Sequence, residues 1–287
     1  MKNLKFLPFY VLSIIPLHLL YVLSDMMFIL IYYIIGYRKE VVKKNLTIAF
    51  PEKSEKEIRK ISRHFYLHFC DMMFESIKTL TMGKRAVKKH IKINNEELIK
   101  QLYEKNKSIV MYSAHMGNWE WNAFFPNFFQ HKVTAFYQPL SNKYFDELMQ
   151  LIRSRMGVLC VPSQKGYKTL MQLQQENKLT LNLIIGDQSP SAHPKASKYW
   201  TEFMHKKTAF LTGADVISHR SDYAVIYPQC TKIKRGVYET KFVLLDESPK
   251  ASDKFSLIEK YSKALEENIN QQPSLWLWSH NRWKLSA

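Results

Sequence analysis

The 287-residue sequence predicts an α/β fold, a mixed sheet flanked by helices, preceded by a membrane-associated helical segment. Three observations predict it. Beyond residue 95, short apolar runs alternate with longer amphipathic ones, as strands alternate with helices. No internal repeat or low-complexity linker interrupts that alternation. The first 37 residues, by contrast, are almost continuously apolar.

Residues 6–24 form a run of 19 without Lys, Arg, Asp or Glu; Asp25 interrupts it, and residues 26–37 continue apolar. Nineteen helical residues reach about 28 Å, close to the ~30 Å of a bilayer's hydrocarbon core. Pro8 and Pro16 argue against one straight helix. Lys2 and Lys5 precede the run as in a signal peptide, but no small-residue cleavage site follows. The expectation is an uncleaved anchor over residues 1–37, either one span or a broken, partly inserted hairpin, with a second domain over residues 38–287. A buried core helix is the ordinary alternative. Basic residues flank both ends, and Arg38, Lys39, Lys43 and Lys44 slightly favour the carboxyl side as cytoplasmic.

Ser54 with Glu57 forms a capping box that opens a helix running towards Leu80. A basic, polar segment follows over residues 83–95. Strands are expected at 108–112, 133–137, 158–161, 180–185, 224–227 and 238–245. Helices are expected at 118–129, 142–156, 165–176, 208–219 and 253–270. Gly157 stands where a helix C′ residue would.

The core can be sizeable, because 46% of residues are apolar, which excludes global disorder. The 17 Phe, 16 Tyr and 6 Trp, with a net charge of +17, suit a membrane surface. That charge implies an anionic partner: nucleic acid, anionic lipid or an acidic carrier protein. The basic residues lie in short clusters (Lys84-Arg85, Lys88-Lys89, Lys206-Lys207, Lys234-Arg235), with no zinc-finger spacing, RNA-recognition signature or long basic helix. Nucleic acid is therefore the weaker reading. Cys70, Cys160 and Cys230 are too few and too scattered for a disulfide framework or a structural zinc site. They read as buried thiols in a reducing compartment.

The chemistry centres on Ser113-Ala114-His115-Met116-Gly117-Asn118-Trp119-Glu120. On one α-helix, residues five apart lie about 140° apart, so His115 and Glu120 would diverge. They meet only if the chain turns, which Gly117 permits, with Asn118 as N-cap of the next helix. His115 then ends a strand and Glu120 opens a helix. A carboxylate on one ring nitrogen would leave the other free to take a proton. Such a pair also arises by chance. Asp187, in Ile185-Gly186-Asp187-Gln188-Ser189-Pro190, falls at another strand end, where α/β sheets bind ligands; an ordinary turn Asp fits equally. Arg153 and Arg155 could bind phosphate or polarise an acyl oxygen. Two residues apart on a helix, they do not both face one site. The three Trp of residues 276–283 suit core packing or an interface belt, and His280 alone carries little signal. A His and a Glu without a further spaced ligand make a poor metal site, and no serine nucleophile elbow is visible.

These blocks together resemble the bacterial lipid A late acyltransferases, the lauroyl/myristoyl branch of the lysophospholipid acyltransferase superfamily. The resemblance spans nearly the whole chain. Arg38, Val42, Asn45-Leu46 and Phe50-Pro51-Glu52 resemble the family's amino-terminal signature, and His115 to Glu120 its His-x-x-x-x-Glu box. Tyr137-Gln138-Pro139-Leu140-Ser141-Asn142 through Arg153-Ser154-Arg155 resembles a second block. Asp187-Gln188-Ser189-Pro190 with Phe203, Thr208 and Gly213 resembles a third, and Pro273, Trp276, Trp278 and Arg282-Trp283-Lys284 the closing motif.

The resemblance implies an acyltransferase-like fold and transfer of a fatty acyl chain from acyl carrier protein to a hydroxyl of a lipid A precursor, at the cytoplasmic face of the inner membrane. It implies His115 as general base held by Glu120, with Arg153, Arg155, Asp187 and Asn118 binding substrate, and no metal or other cofactor. Gln138 stands where many relatives carry Arg, which leaves the acceptor open to other glycolipids, aminolipids or lysophospholipids. Glu rather than Asp in the box favours the lipid A or glycolipid branch. A non-catalytic membrane scaffold would keep the anchor and the charge but need neither His115 nor Glu120.

Overall fold

The computed structural model describes residues 4–193 and 196–285; Lys2 lies outside them. Helices α1 (Leu7–Ile14), α2 (Leu17–Phe28), α3 (Lys39–Ala49) and α4 (Glu55–Lys78) come first. Then follow α5 (Lys84–His90), β1 (Ile91–Ile93), α6 (Glu96–Glu104), β2 (Ile109–Ser113) and β3 (Lys132–Tyr137). Next are α7 (Lys143–Ser154), β4 (Leu159–Pro162), α8 (Gly166–Gln175), β5 (Thr180–Ile185), β6 (Lys198–Phe203) and β7 (Lys206–Leu211). The chain ends with α9 (Gly213–Ser221), β8 (Ala224–Lys234), β9 (Val237–Asp246) and α10 (Ser256–Gln271).

Seven strands make one sheet in the order β1-β9-β8-β2-β5-β3-β4, parallel except for the β8–β9 hairpin; β6 and β7 pair separately. The central strands are apolar on both faces, as a sheet covered on both sides requires. Val110 and Tyr112 of β2, with Val225 and Tyr227 of β8, pack against Tyr66 of α4 and Tyr261, Leu265 and Ile269 of α10. Ile109 and Met111, with Ala224 and Ile226, face the other way, towards Ile99 and Leu102 of α6.

The expected strands are present within one or two residues, except that β8 runs on to Lys234. The helix expected at 208–219 is corrected. Its first part is β7, whose Thr208, Ala209 and Phe210 turn inward, and the helix starts only at Gly213. The helix expected at 118–129 is a 3-10 coil, Trp119–Asn127, containing Pro126, which has no N–H for a helical ladder. The basic segment at 83–95 contains α5 and β1, and α6, like β6, had no counterpart in the sequence pattern.

The amino-terminal helices break at Pro16. Leu17–Ile35, α2 with a π-helical continuation over Ile29–Ile35, is long and apolar enough to cross a membrane by length and composition. Its inner side is nonetheless tied to the body. Tyr21 donates to Glu75 (2.8 Å), Ser24 donates to Asp71 (2.7 Å), and Arg235 bridges Asp25 and Asp71. Lys78 and Thr81 donate to carbonyls at the end of α1. Leu19, Val22, Met26, Ile29, Leu30 and Ile34 face outward, exposed, as do Leu7, Val11 and Ile14 of α1.

Two outcomes follow. In the capping box, Ser54 and Glu57 exchange hydrogen bonds at the start of α4, so Ser54→Ala should cost about 1 kcal/mol, read as a lower urea midpoint at unchanged slope. Gly236, at φ +72°, turns the β8–β9 hairpin against α2, and a Cβ there would overlap the Tyr21 hydroxyl. Gly236→Ala should therefore loosen α2 and speed limited proteolysis of the amino-terminal helices.

Candidate active site

Strands β2 and β5 are parallel neighbours with Ser113 opposite Ile185. Two residues beyond each partner stand His115 and Asp187, so the sheet brings them to one level. Asp187 Oδ1 lies 2.8 Å from His115 Nδ1, and Oδ2 accepts the His115 backbone N–H at 2.9 Å. The Trp276 indole N–H also donates to Oδ2, at 2.8 Å. The carboxylate is buried. Burial alone would raise its pKa, but the charge of His115 and these hydrogen bonds more than offset that, and Asp187 is held below its ordinary range. With Asp187 ionised, Nδ1 is the nitrogen that donates to it, and Nε2 is the nitrogen left to exchange a proton. The His115 side chain is 16% exposed, and the side-chain amide nitrogen of Gln188 lies 3.4 Å from Nε2.

Glu120 is not the partner expected for His115. Its carboxylate grips Arg153 at both oxygens, Nε to Oε2 at 2.8 Å and Nη2 to Oε1 at 2.6 Å. The cause is α7, which carries Arg153 across the opening turn of the 3-10 coil, while Asp187 already occupies Nδ1. Trp119 joins the two pairs. Its ring stands edge-on to His115 with centroids 4.9 Å apart, and its N–H donates to Glu120 at 3.1 Å. His115, Asp187, Trp119, Glu120 and Arg153 thus form one contiguous group.

Asn118 and Arg155 lie outside it. Asn118 makes no side-chain cap bond; it donates to Glu75 beneath the loop at 2.7 Å. Arg155 donates to the carbonyls of Thr79 and Met82, beyond the end of α4. Gly117 is required twice, for its φ of +62° and because a Cβ would overlap the Cys230 sulfur.

The carboxyl-terminal segment completes the site from the side. Gly117 N–H donates to Leu275 O and Leu277 N–H to His115 O, so residues 275–277 pair with the loop like a short strand. Trp276, Trp278 and Trp283 are all buried, which settles them as core. His280 accepts the Ser189 N–H at 3.0 Å and so pins the segment after Asp187. Burial pushes its pKa down to about 4, so the ring is neutral. Arg282 is buried beside Phe210, 4.5 Å from the ring centroid, and its guanidinium nitrogens have no hydrogen-bond partner among the described residues. Desolvation lowers its pKa to about 10 against the pull of Asp187.

Sequence reasoning missed Trp119, Trp276, Arg282 and Glu75. For Glu75 the signal was a carboxylate on the apolar stripe of α4, one turn past Met72 and two past His68. Among the described residues no cluster of His, Cys, Asp and Glu could hold a metal. The arrangement can take a proton at His115 Nε2 and holds a guanidinium on Glu120, across Trp119 from the imidazole.

No curated protein matches the chain. The family model described as bacterial lipid A biosynthesis acyltransferase matches residues 5–285, from the first apolar helix through the closing Trp and Arg residues. With nearly its whole length matched, including the His115 loop and the Asp187 turn, the chain belongs to the bacterial lipid A biosynthesis acyltransferase family.

Proposed function

We propose that the protein is a membrane-bound O-acyltransferase that moves a fatty acyl chain from an acyl carrier protein thioester to a hydroxyl of a lipid A precursor. The observation that carries this reading is His115, locked at Nδ1 by Asp187, with Nε2 facing the exposed side, near the Gln188 amide. His115 Nε2 takes the acceptor's hydroxyl proton as that oxygen attacks the thioester carbonyl. The new C–O bond forms through a tetrahedral intermediate. The C–S bond then breaks, and the departing thiolate takes the proton back from His115. Asp187 stabilises the imidazolium between these steps.

Glu120 acts by aiming Arg153 rather than by touching the base. A bidentate carboxylate fixes the guanidinium plane, and the remaining N–H groups can meet a phosphate or the developing oxyanion. This reading gives Glu120 and Arg153 to substrate and leaves Asn118 and Arg155 as structural supports.

The +17 charge supports attraction of an acidic carrier protein. The outward apolar face of α1 and α2 supports membrane attachment. The ties of α2 to Glu75, Asp71 and Arg235 favour the broken, partly inserted form over a span free of the body. The proposed location is the inner membrane, with the catalytic body on the cytoplasmic face. Residues 1–37 then act as an attachment surface and residues 38–287 as the catalytic body.

Mass spectrometry of lipid A and phospholipids from cells with and without the protein tests the reaction. Loss of one acyl chain from lipid A, restored by wild type and not by His115→Ala, is the expected result. A change confined to another lipid class would move the acceptor, and no change would favour the scaffold. In a purified assay, His115→Ala should lower kcat by about a hundred- to ten-thousandfold, the usual worth of a general base. Asp187→Asn should lower kcat by at least about a hundredfold at little changed donor KM, because the amide no longer fixes the tautomer.

A further inference from the structure

Glu75 has no part in the chemistry above, yet it has zero exposure and accepts three side-chain hydrogen bonds. One comes from Tyr21 of α2 (2.8 Å), one from Asn118 of the catalytic loop (2.7 Å), one from Tyr238 of β9 (2.9 Å). The backbone of the same residue accepts the Trp121 indole N–H at 3.1 Å. One turn-pair earlier on α4, His68 Nε2 lies 3.2 Å from Gly117 O. The His115–Glu120 loop and the residue after it therefore rest on two residues of α4, His68 and Glu75, and of these two it is Glu75 that also holds the apolar amino-terminal helix.

A carboxylate this deep is expensive to bury unless its acceptors are filled. Burial raises the Glu75 pKa, and the bonds from Tyr21 and Asn118, with the charge of Lys232, pull the other way. Removing the Tyr21 bond leaves the remaining donors to rearrange around an under-satisfied buried group. Asn118 is the one with room to adjust, because its backbone lies outside helix and strand, whereas Tyr238 is paired within β9.

We propose that Glu75 is a positioning residue that ties the docking of α2 to the shape of the catalytic loop, so that the loop is fully ordered only while α2 is seated. The hydroxyl of Tyr21 is the contact through which α2 is felt. Beyond it, Asn118 transmits the state of Glu75 to Trp119 and Glu120, the next two residues in the chain, and through Trp119 to the His115 ring. The functional consequence rests on the acyltransferase reading; the structural coupling does not.

Hydrogen exchange read by mass spectrometry on the full chain in phosphatidylethanolamine–phosphatidylglycerol vesicles tests it, with turnover and donor KM measured in parallel. Tyr21→Phe keeps the ring and removes only the hydroxyl. It should speed exchange in peptides covering residues 115–121 by about fivefold, the worth of one net hydrogen bond, with peptides covering residues 180–185 unchanged. Turnover should fall by a similar factor at constant donor KM. Glu75→Gln, which presents an amide where a full acceptor is needed, should do the same to a larger degree. Unchanged exchange at residues 115–121 in both variants overturns the proposal, and so does acceleration that spreads equally to residues 180–185, which marks general loosening. If the wild type transfers no acyl chain, the acyltransferase reading fails while the exchange result still decides the coupling.

Discussion

Asp187 accepts hydrogen bonds from the His115 backbone, the His115 ring and the Trp276 indole, so one buried carboxylate joins the ends of β2 and β5 to the carboxyl-terminal segment. The rest of the site is arranged around that junction. It can exist because β2 and β5 are parallel and adjacent, with their carboxyl ends in register. Burial works against its charge, but the charge of His115 and the hydrogen bonds from His115 and Trp276 more than offset that. The Trp276 ring that supplies the third bond is wedged edge-on against Trp278 and near Phe203. His115 therefore takes its orientation from the hydrophobic core as well as from its own loop.

Much of this was legible in the sequence, for identifiable reasons. Val110, Tyr112, Ile109 and Met111 form an apolar run of strand length, which a doubly covered strand requires. His115 and Asp187 could be placed at strand ends from the runs before them. The capping box at Ser54 has a local mechanism and needed nothing distant. Spacing within the box could not say which carboxylate His115 would meet. Five residues of separation show that a turn could join His115 to Glu120. They do not show that the neighbouring strand delivers Asp187 first, since pairing order is a non-local property. Residues 208–211 read as helix because the helix after them shares their composition, and only pairing with β6 makes them a strand.

The sequence blocks that carried the family resemblance are also spatial neighbours. Arg38 donates to Ser279 O, and Asn45 donates to the carbonyls of Trp278 and His280. Trp283 donates to Thr208, and Phe203 lies against Trp276. Residues far apart along the chain thus meet around the closing segment, which explains why motifs of no obvious chemistry sit in fixed order beside the two that have it. The 2% exposed Arg282 fits the same picture. Its charge opposes that of Asp187 across a layer of tyrosines and phenylalanines, balancing part of a buried anion at long range.

The short-strand pairing of residues 275–277 with the His115 loop has a consequence in time as well as in space. A ribosome makes α1 and α2 well before the Trp276 segment. During synthesis the apolar helices emerge while the Asp187 carboxylate still lacks its indole donor and His115 its flanking strand. The His115–Asp187 pair lacks its third bond and its flanking strand until residues 275–277 are made and fold back. A nascent chain therefore has its outward apolar helices before its His115–Asp187 junction is complete, and a stop between α2 and residue 276 leaves a chain with the first and without the second.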